Sequence, residues 1–218
     1  MIRIAIDGPG GAGKSTIAKL VGDKLGLEYI DTGAMYRAVG LKLTRKGIKP
    51  DDLISISNIL EETTIDFVNG KIILDGDDVS DIIRTQEISK LASIYSQIPE
   101  VRSKLVDIQR RIAAGKSVIM DGRDIGTNVL TDAELKVFLT ADSMVRARRR
   151  YDELRSKGVK ANLDDIHEEI KDRDYKDMNR KLNPLVQAED AIRLDTSDMT
   201  IDEVVNTIVA MAARVSCS

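Results

Sequence analysis

The residues Gly8-Pro9-Gly10-Gly11-Ala12-Gly13-Lys14-Ser15 constrain this chain more than any others, because four glycines and a Lys-Ser pair separate a strand pattern from a helix pattern. Upstream, Ile2, Ile4 and Ile6 alternate with Arg3 and Ala5, the period of a β-strand. Downstream, Ile17, Leu20, Val21 and Leu25 recur at helical spacing, and Gly26 stands where a left-handed C-terminal cap is wanted. A strand that turns through glycines straight into a helix gathers backbone N–H groups and a helix N-terminus around one spot. Phosphate oxygens suit such a spot, and glycines let the backbone wrap inward where a Cβ would obstruct it.

Further β-type runs at 27–30, 118–120, 135–139 and 192–194 are separated by helix-length segments, which predicts an α/β fold with a parallel sheet of about five strands and flanking helices. Thr200 and Glu203 form a capping box ahead of the stripe Ile201, Val204, Val205, Ile208, Val209 and Ala212, so a helix closes the chain against the sheet. The alternation is broken once. Residues 65–68, Asn69-Gly70 and 71–74 read as a hairpin with a type I′ turn, and Asp75-Gly76 turns the chain again. This small antiparallel insert is expected to sit as a lobe on a single domain spanning 1–218.

Net charge is −3 over the 218 residues, without the global basic excess of a duplex-binding protein, so an anion must be met locally and no nucleic-acid partner is expected. Cys217 is the single cysteine and cannot form an internal disulfide, which fits a reducing cytoplasm. No apolar run approaches the roughly 18 residues of a membrane span, and neither export nor anchoring is expected.

The spacing GxxxxGK[ST] assigns ATP or GTP to the loop of Gly8, Pro9, Gly10, Gly11, Ala12, Gly13, Lys14, Ser15 and Thr16. Lys14 is expected to bridge the β- and γ-phosphates and the Ser15 hydroxyl to serve Mg2+, with Thr16 beside it as an alternative ligand. Asp121 ends the run 118–121, where many phosphate-loop proteins place a carboxylate near the metal; capping of the next helix is the alternative reading. Arg123 and Asp124 follow it and are expected at the same carboxyl end of the sheet. Asp31-Thr32-Gly33-Ala34-Met35-Tyr36-Arg37 enters a helix with Thr32 as expected N-cap and Arg37 as a phosphate grip.

From Asn162 a helix is expected in which Ile166, Ile170, Arg173, Asp177 and Arg180 succeed one another on one face, so the stripe turns from apolar to ionic. Either that face enters a polar site or the charges pair along the helix. Arg146, Arg148, Arg149 and Arg150 form a basic run that suits a solvated helix or a closing segment that stabilises a migrating phosphoryl group; Arg149 and Arg150 are the favoured pair. His167, the only histidine, has no partner for a metal site and is expected to be exposed.

In their order, the segments IDGPGGAGKST, DTGAMYR, RTQEIS, the VR after IP, DGRDIGT, IKDRDYKDMNR and the NPL behind it resemble the bacterial cytidylate kinases, nucleoside monophosphate kinases of the P-loop type. The resemblance spans nearly the whole chain. It implies a monophosphate-binding lobe with its insert at about 58–98, a lid at about 146–165, and transfer of the ATP γ-phosphate to CMP or dCMP; a monomer is expected. It also implies that Thr32, Tyr36, Arg37, Arg123 and Arg180 hold the CMP phosphate, Arg173 and Asp177 the ribose, and Ser93, Arg102 and Asp124 the cytosine. A carboxylate accepts from the cytosine N4 amino group, whereas uracil presents an acceptor there. Thr32 stands where many relatives have Ser, and Ser15 where others have Gly before Thr.

Overall fold

The computed structural model describes residues 1–68 and 70–215. In chain order the elements are β1 (Arg3–Asp7), α1 (Lys14–Leu25), β2 (Glu28–Asp31), α2 (Thr32–Arg45), α3 (Leu53–Glu61), β3 (Ile65–Val68), β4 (Lys71–Leu74) and β5 (Asp77–Asp78). They continue with α4 (Gln86–Tyr95), α5 (Pro99–Ala113), β6 (Val118–Gly122), β7 (Leu135–Thr140), α6 (Ser143–Ser156), α7 (Leu163–Asn179), β8 (Ile192–Asp195) and α8 (Ile201–Val215). A tight 3-10 turn covers Ile82–Arg84 and a wide π-type turn Ile125–Val129. The chain falls into two compact units, one made of Met1–Tyr29 with the chain from Ser117 onward, the other of Ile30–Lys116.

Five strands form a parallel sheet in the order β2-β6-β1-β7-β8. β1 and β6 are interior strands covered on both faces, which is why Ile4, Ala5, Ile6, Val118, Ile119 and Met120 form near-continuous apolar runs and are fully buried. The expected arc of α1 and the stripe of α8 pack on this sheet through Ile17, Ala18, Val21, Val204, Val205 and Ile208. The capping box of α8 is formed: the Thr200 N–H donates to Glu203 Oε2 at 2.8 Å and the Glu203 N–H to Thr200 Oγ1 at 3.3 Å. Two stripe members differ from expectation. The buried arc of α1 runs through Ala18, Val21 and Gly22, which leaves Leu20 outside it, and Ile201 sits exposed on the first turn of α8.

In the second unit, α2 to α5 and the sheet β3-β4-β5 enclose a core of Met35, Leu43, Ile56, Ile72, Ile83 and Leu105. The expected hairpin is present, with Val68 opposite Lys71 and Gly70 in the left-handed region at φ 74°. Asn69 lies outside the described residues, as does Cys217. Gly40 lets α2 and α4 approach closely, since a Cβ there would lie 3.3 Å from the Ala92 backbone nitrogen.

Candidate functional site

The register of β1 on β6 sets Ile6 beside Asp121 and Asp7 beside Gly122, so the carboxyl ends of the two strands present their acidic residues together. The chain leaves β1 through Gly8, whose φ of 149° and tight surroundings admit no side chain: a Cβ would fall 1.9 Å from the Leu139 carbonyl oxygen. Gly13, left-handed at φ 84°, is the N-cap from which α1 starts at Lys14. The Lys14 ammonium is buried and donates to the Pro9 carbonyl at 2.8 Å. Burial, with the positive charges of Arg123 and Arg173, pushes its pKa down to about 7. A lysine so placed gains when an anion arrives.

Asp121 is buried and binds two hydroxyls, Ser15 Oγ on one carboxylate oxygen and Tyr29 OH on the other, each at 2.9 Å. It therefore faces the start of α1, and the N-cap position of the next helical turn is held by Asp124. Asp7 accepts the N–H groups of Ile125 at 2.8 Å and Gly126 at 2.7 Å, and burial pushes its pKa up to about 6 despite those bonds. One carboxylate thus fastens the end of β1 to the turn that carries Arg123 and Asp124.

Arg123 Nε donates to Asp177 at 2.8 Å, and Arg180 Nη2 to Asp124 at 3.0 Å. Burial alone would raise the Asp177 pKa; the Arg123 guanidinium, helped by Arg173 and Arg180, outweighs it and holds the carboxyl below the usual range. Arg173 is exposed and lies over the loop, its Cδ 3.5 Å from where a Gly10 Cβ would be, with Arg123 Nη2 at 3.6 Å. Asn162 caps α7 as expected, but Arg180 lies past the last helical residue, at the C-cap in extended backbone, and so leaves the helical stripe.

The basic run divides. Arg149 donates to the Thr196 carbonyl at 2.6 Å, Arg150 pairs with Glu153 at 2.7 Å on the surface, and only Arg146 is buried, reaching the Gly10 carbonyl and Asp174. The sequence pattern favours Arg149 and Arg150 over Arg146, and it assigns no role to Asp174, Tyr29 or Asp7. A signal for the first two exists: Ile166, Ile170 and Asp174 follow at steps of four, so the apolar stripe of α7 ends in a carboxylate that needs a cation. His167 is half-buried, not exposed, because its Nε2 makes a 2.9 Å hydrogen bond with Ser143 Oγ at the start of α6.

In the second unit, Thr32, Tyr36 and Arg37 lie on the first turns of α2. The N-cap is Asp31, not Thr32: β2 runs on to Asp31, whose Oδ1 accepts the Ala34 N–H at 2.8 Å, leaving Thr32 as the first helical residue. Asp31 also receives Arg37 Nη2 at 2.9 Å, so one carboxylate starts the helix and orients the arginine. Arg102, on α5, is 1% exposed, donates to the Ser96 carbonyl at 3.2 Å and lies over the Tyr36 ring at 5.5 Å. Ser93 is half-buried on α4.

Residues 4–214 match the family model for cytidylate kinase. A cytidylate kinase from Caldanaerobacter subterraneus is 52% identical over 207 residues, 95% of this chain and 92% of that protein. One from Clostridium botulinum is 51% identical over 213 residues, 98% of both chains. Among solved structures, a shikimate kinase from Bacteroides thetaiotaomicron has a TM-score of 0.52 at 15% identity, over 97% of this chain and 98% of the other, a likeness of fold alone. With the phosphate loop, the carboxylates at the strand ends and a match that leaves out only a few terminal residues, the chain belongs to the cytidylate kinase family.

Proposed function

We propose that this chain transfers the γ-phosphate of ATP to CMP and dCMP, giving ADP with CDP or dCDP. The observation that carries the reading is Lys14, a buried cation whose hydrogen-bond partner is a neutral carbonyl and which stands beside two arginines at the head of a glycine loop. Family membership supplies the acceptor. In the transfer, an oxygen of the CMP phosphate attacks the γ-phosphorus, the bond to the β,γ-bridging oxygen breaks, and ADP leaves with that electron pair. No covalent bond to the protein forms, so the residues act by positioning and by charge.

The loop from Gly8 to Thr16 holds the triphosphate, with Lys14 on the β- and γ-phosphates. Arg123, Arg149, Arg150 and Arg180 supply cationic charge, the lid at about 146–165 carrying the middle pair. Thr32, Tyr36, Arg37, Arg123 and Arg180 take the CMP phosphate, Arg173 and Asp177 the ribose, and Ser93, Arg102 and Asp124 the base. The hydroxyl of Ser15 and the carboxylate of Asp121 form a hard-oxygen pair of the kind that holds Mg2+, which keeps most of its remaining ligands as water and phosphate. When bound, that ion neutralises charge on the phosphates. We place the enzyme in the cytoplasm as a monomer acting on small nucleotides; among the described residues no helix is long and apolar enough to cross a membrane.

An ADP-release assay over a panel of nucleoside monophosphates tests the assignment. CMP and dCMP should be turned over fastest, and preference for AMP or UMP would overturn the acceptor. Asp124→Asn should narrow the CMP to UMP ratio while leaving the KM for ATP near its original value.

A further inference from the structure

Arg146 is 4% exposed, and its three guanidinium nitrogens donate to three different segments. Nε reaches the Ala141 carbonyl behind β7 at 2.9 Å, Nη1 the Gly10 carbonyl at 2.8 Å, and Nη2 the Asp174 carboxylate on α7 at 2.6 Å. The contact with the loop is close, since a Cβ on Gly11 would lie 3.4 Å from that of Arg146. In a trans peptide unit the carbonyl and the N–H point in opposite directions, and no described peptide bond is cis. Holding the Gly10 carbonyl towards α6 therefore turns the Gly11 N–H the other way.

We propose that Arg146 is a positioning residue for the ATP loop: it fixes the Gly10–Gly11 peptide plane so that the Gly11 N–H is already aimed at the donor phosphate. The preceding peptide is held by Lys14 on the Pro9 carbonyl. The two cations differ in what they can give up. Lys14 can exchange its single carbonyl for a phosphate oxygen, whereas Arg146 is fixed by three acceptors and keeps the loop shaped in both states. A preset donor is worth more than one that must be reoriented on binding.

The proposal rests on reading Gly8 to Thr16 as the donor loop, and calorimetric titration with ADP and separately with CMP distinguishes the two. Arg146→Met should weaken ADP binding about 10- to 100-fold, the loss expected of a hydrogen bond from a charged group, with the CMP Kd nearly unchanged. Because that variant strands the Asp174 carboxylate, Arg146→Met/Asp174→Asn is measured beside it and should show the same split. Asp174→Asn alone keeps the bond to Gly10 and should bind ADP far better than either. Arg146→Lys, with one ammonium for three acceptors, should fall between. Unchanged ADP affinity in the folded double variant, or equal losses for ADP and CMP, overturns the positioning role. Failure of the unaltered protein to bind ADP overturns the donor-loop reading itself.

Discussion

Lys14 shows how the chemistry of one residue can oppose the stability of the fold that carries it. Its pKa of about 7 lies below the ordinary lysine value, so between the two the unfolded chain holds a proton that the folded one does not. Stability therefore rises with pH across that window, and the penalty for burying the ammonium is complete below it. Lys14→Met should raise the Tm of the nucleotide-free protein below pH 7, with the gain narrowing as the pH climbs towards 9, while abolishing turnover. A pH-independent gain would contradict the assignment. Binding a triphosphate returns the missing charge, so ATP titrated at about pH 8 in buffers of different ionisation enthalpy should show proton uptake that disappears in the Lys14→Met protein. The sequence named this lysine because motif and context fix its partners locally. It gives no role to Asp7 and does not favour Arg146 within the basic run, because their partners, Ile125 and Gly126 for the one and Asp174 for the other, lie far along the chain.

Among the elements, those with a strong period were readable from the chain: the alternation of β1, the apolar runs of β6 and β7, the hairpin of β3 and β4, and the capped stripe of α8. Their edges were less so. Asp31 and Thr32 are both good capping residues, and the choice between them is made by how far the strand pairing extends, a tertiary matter. Asp31→Ala should lower stability by about 1 kcal/mol through the lost cap and should also free Arg37, raising the KM for CMP more than that for ATP; equal changes would point to the cap alone. Gly8→Ala tests the junction between β1 and the loop. With the Leu139 carbonyl in the way, either β7 or the loop must shift, and urea unfolding should report a loss above about 2 kcal/mol. A tolerated alanine would show that the junction yields.

For the molecule as a whole, strand number and parallel sense followed from the alternation of strands with helices, while the order β2-β6-β1-β7-β8 did not, because crossovers leave no mark in local pattern. The hairpin insert was visible, yet the unit that contains it is wider, Ile30–Lys116, since α2 to α5 share one core with the three short strands. The net charge of −3 repels nucleotides at long range, and attraction is left to local cations, of which Lys14 is buried and Arg37, Arg123 and Arg180 are half-buried. Such short-range contacts are screened little, so raising salt from about 0.05 to about 0.3 M should change the KM for ATP by less than about fivefold. A much steeper dependence would mean that surface charge steers the nucleotide.

The carboxylate of Asp7 gives this architecture a particular rigidity. Because it grips two consecutive amides of the turn behind Arg123 and Asp124, that turn cannot slide along β1 without breaking both bonds at once. The distance between the glycine crook and the side chain opposite Arg180 is in effect a ruler built into the sheet. If Asp124 reads the base as proposed, a lineage seeking a different base could exchange the letter at position 124, but it could not easily move the place from which that letter is read.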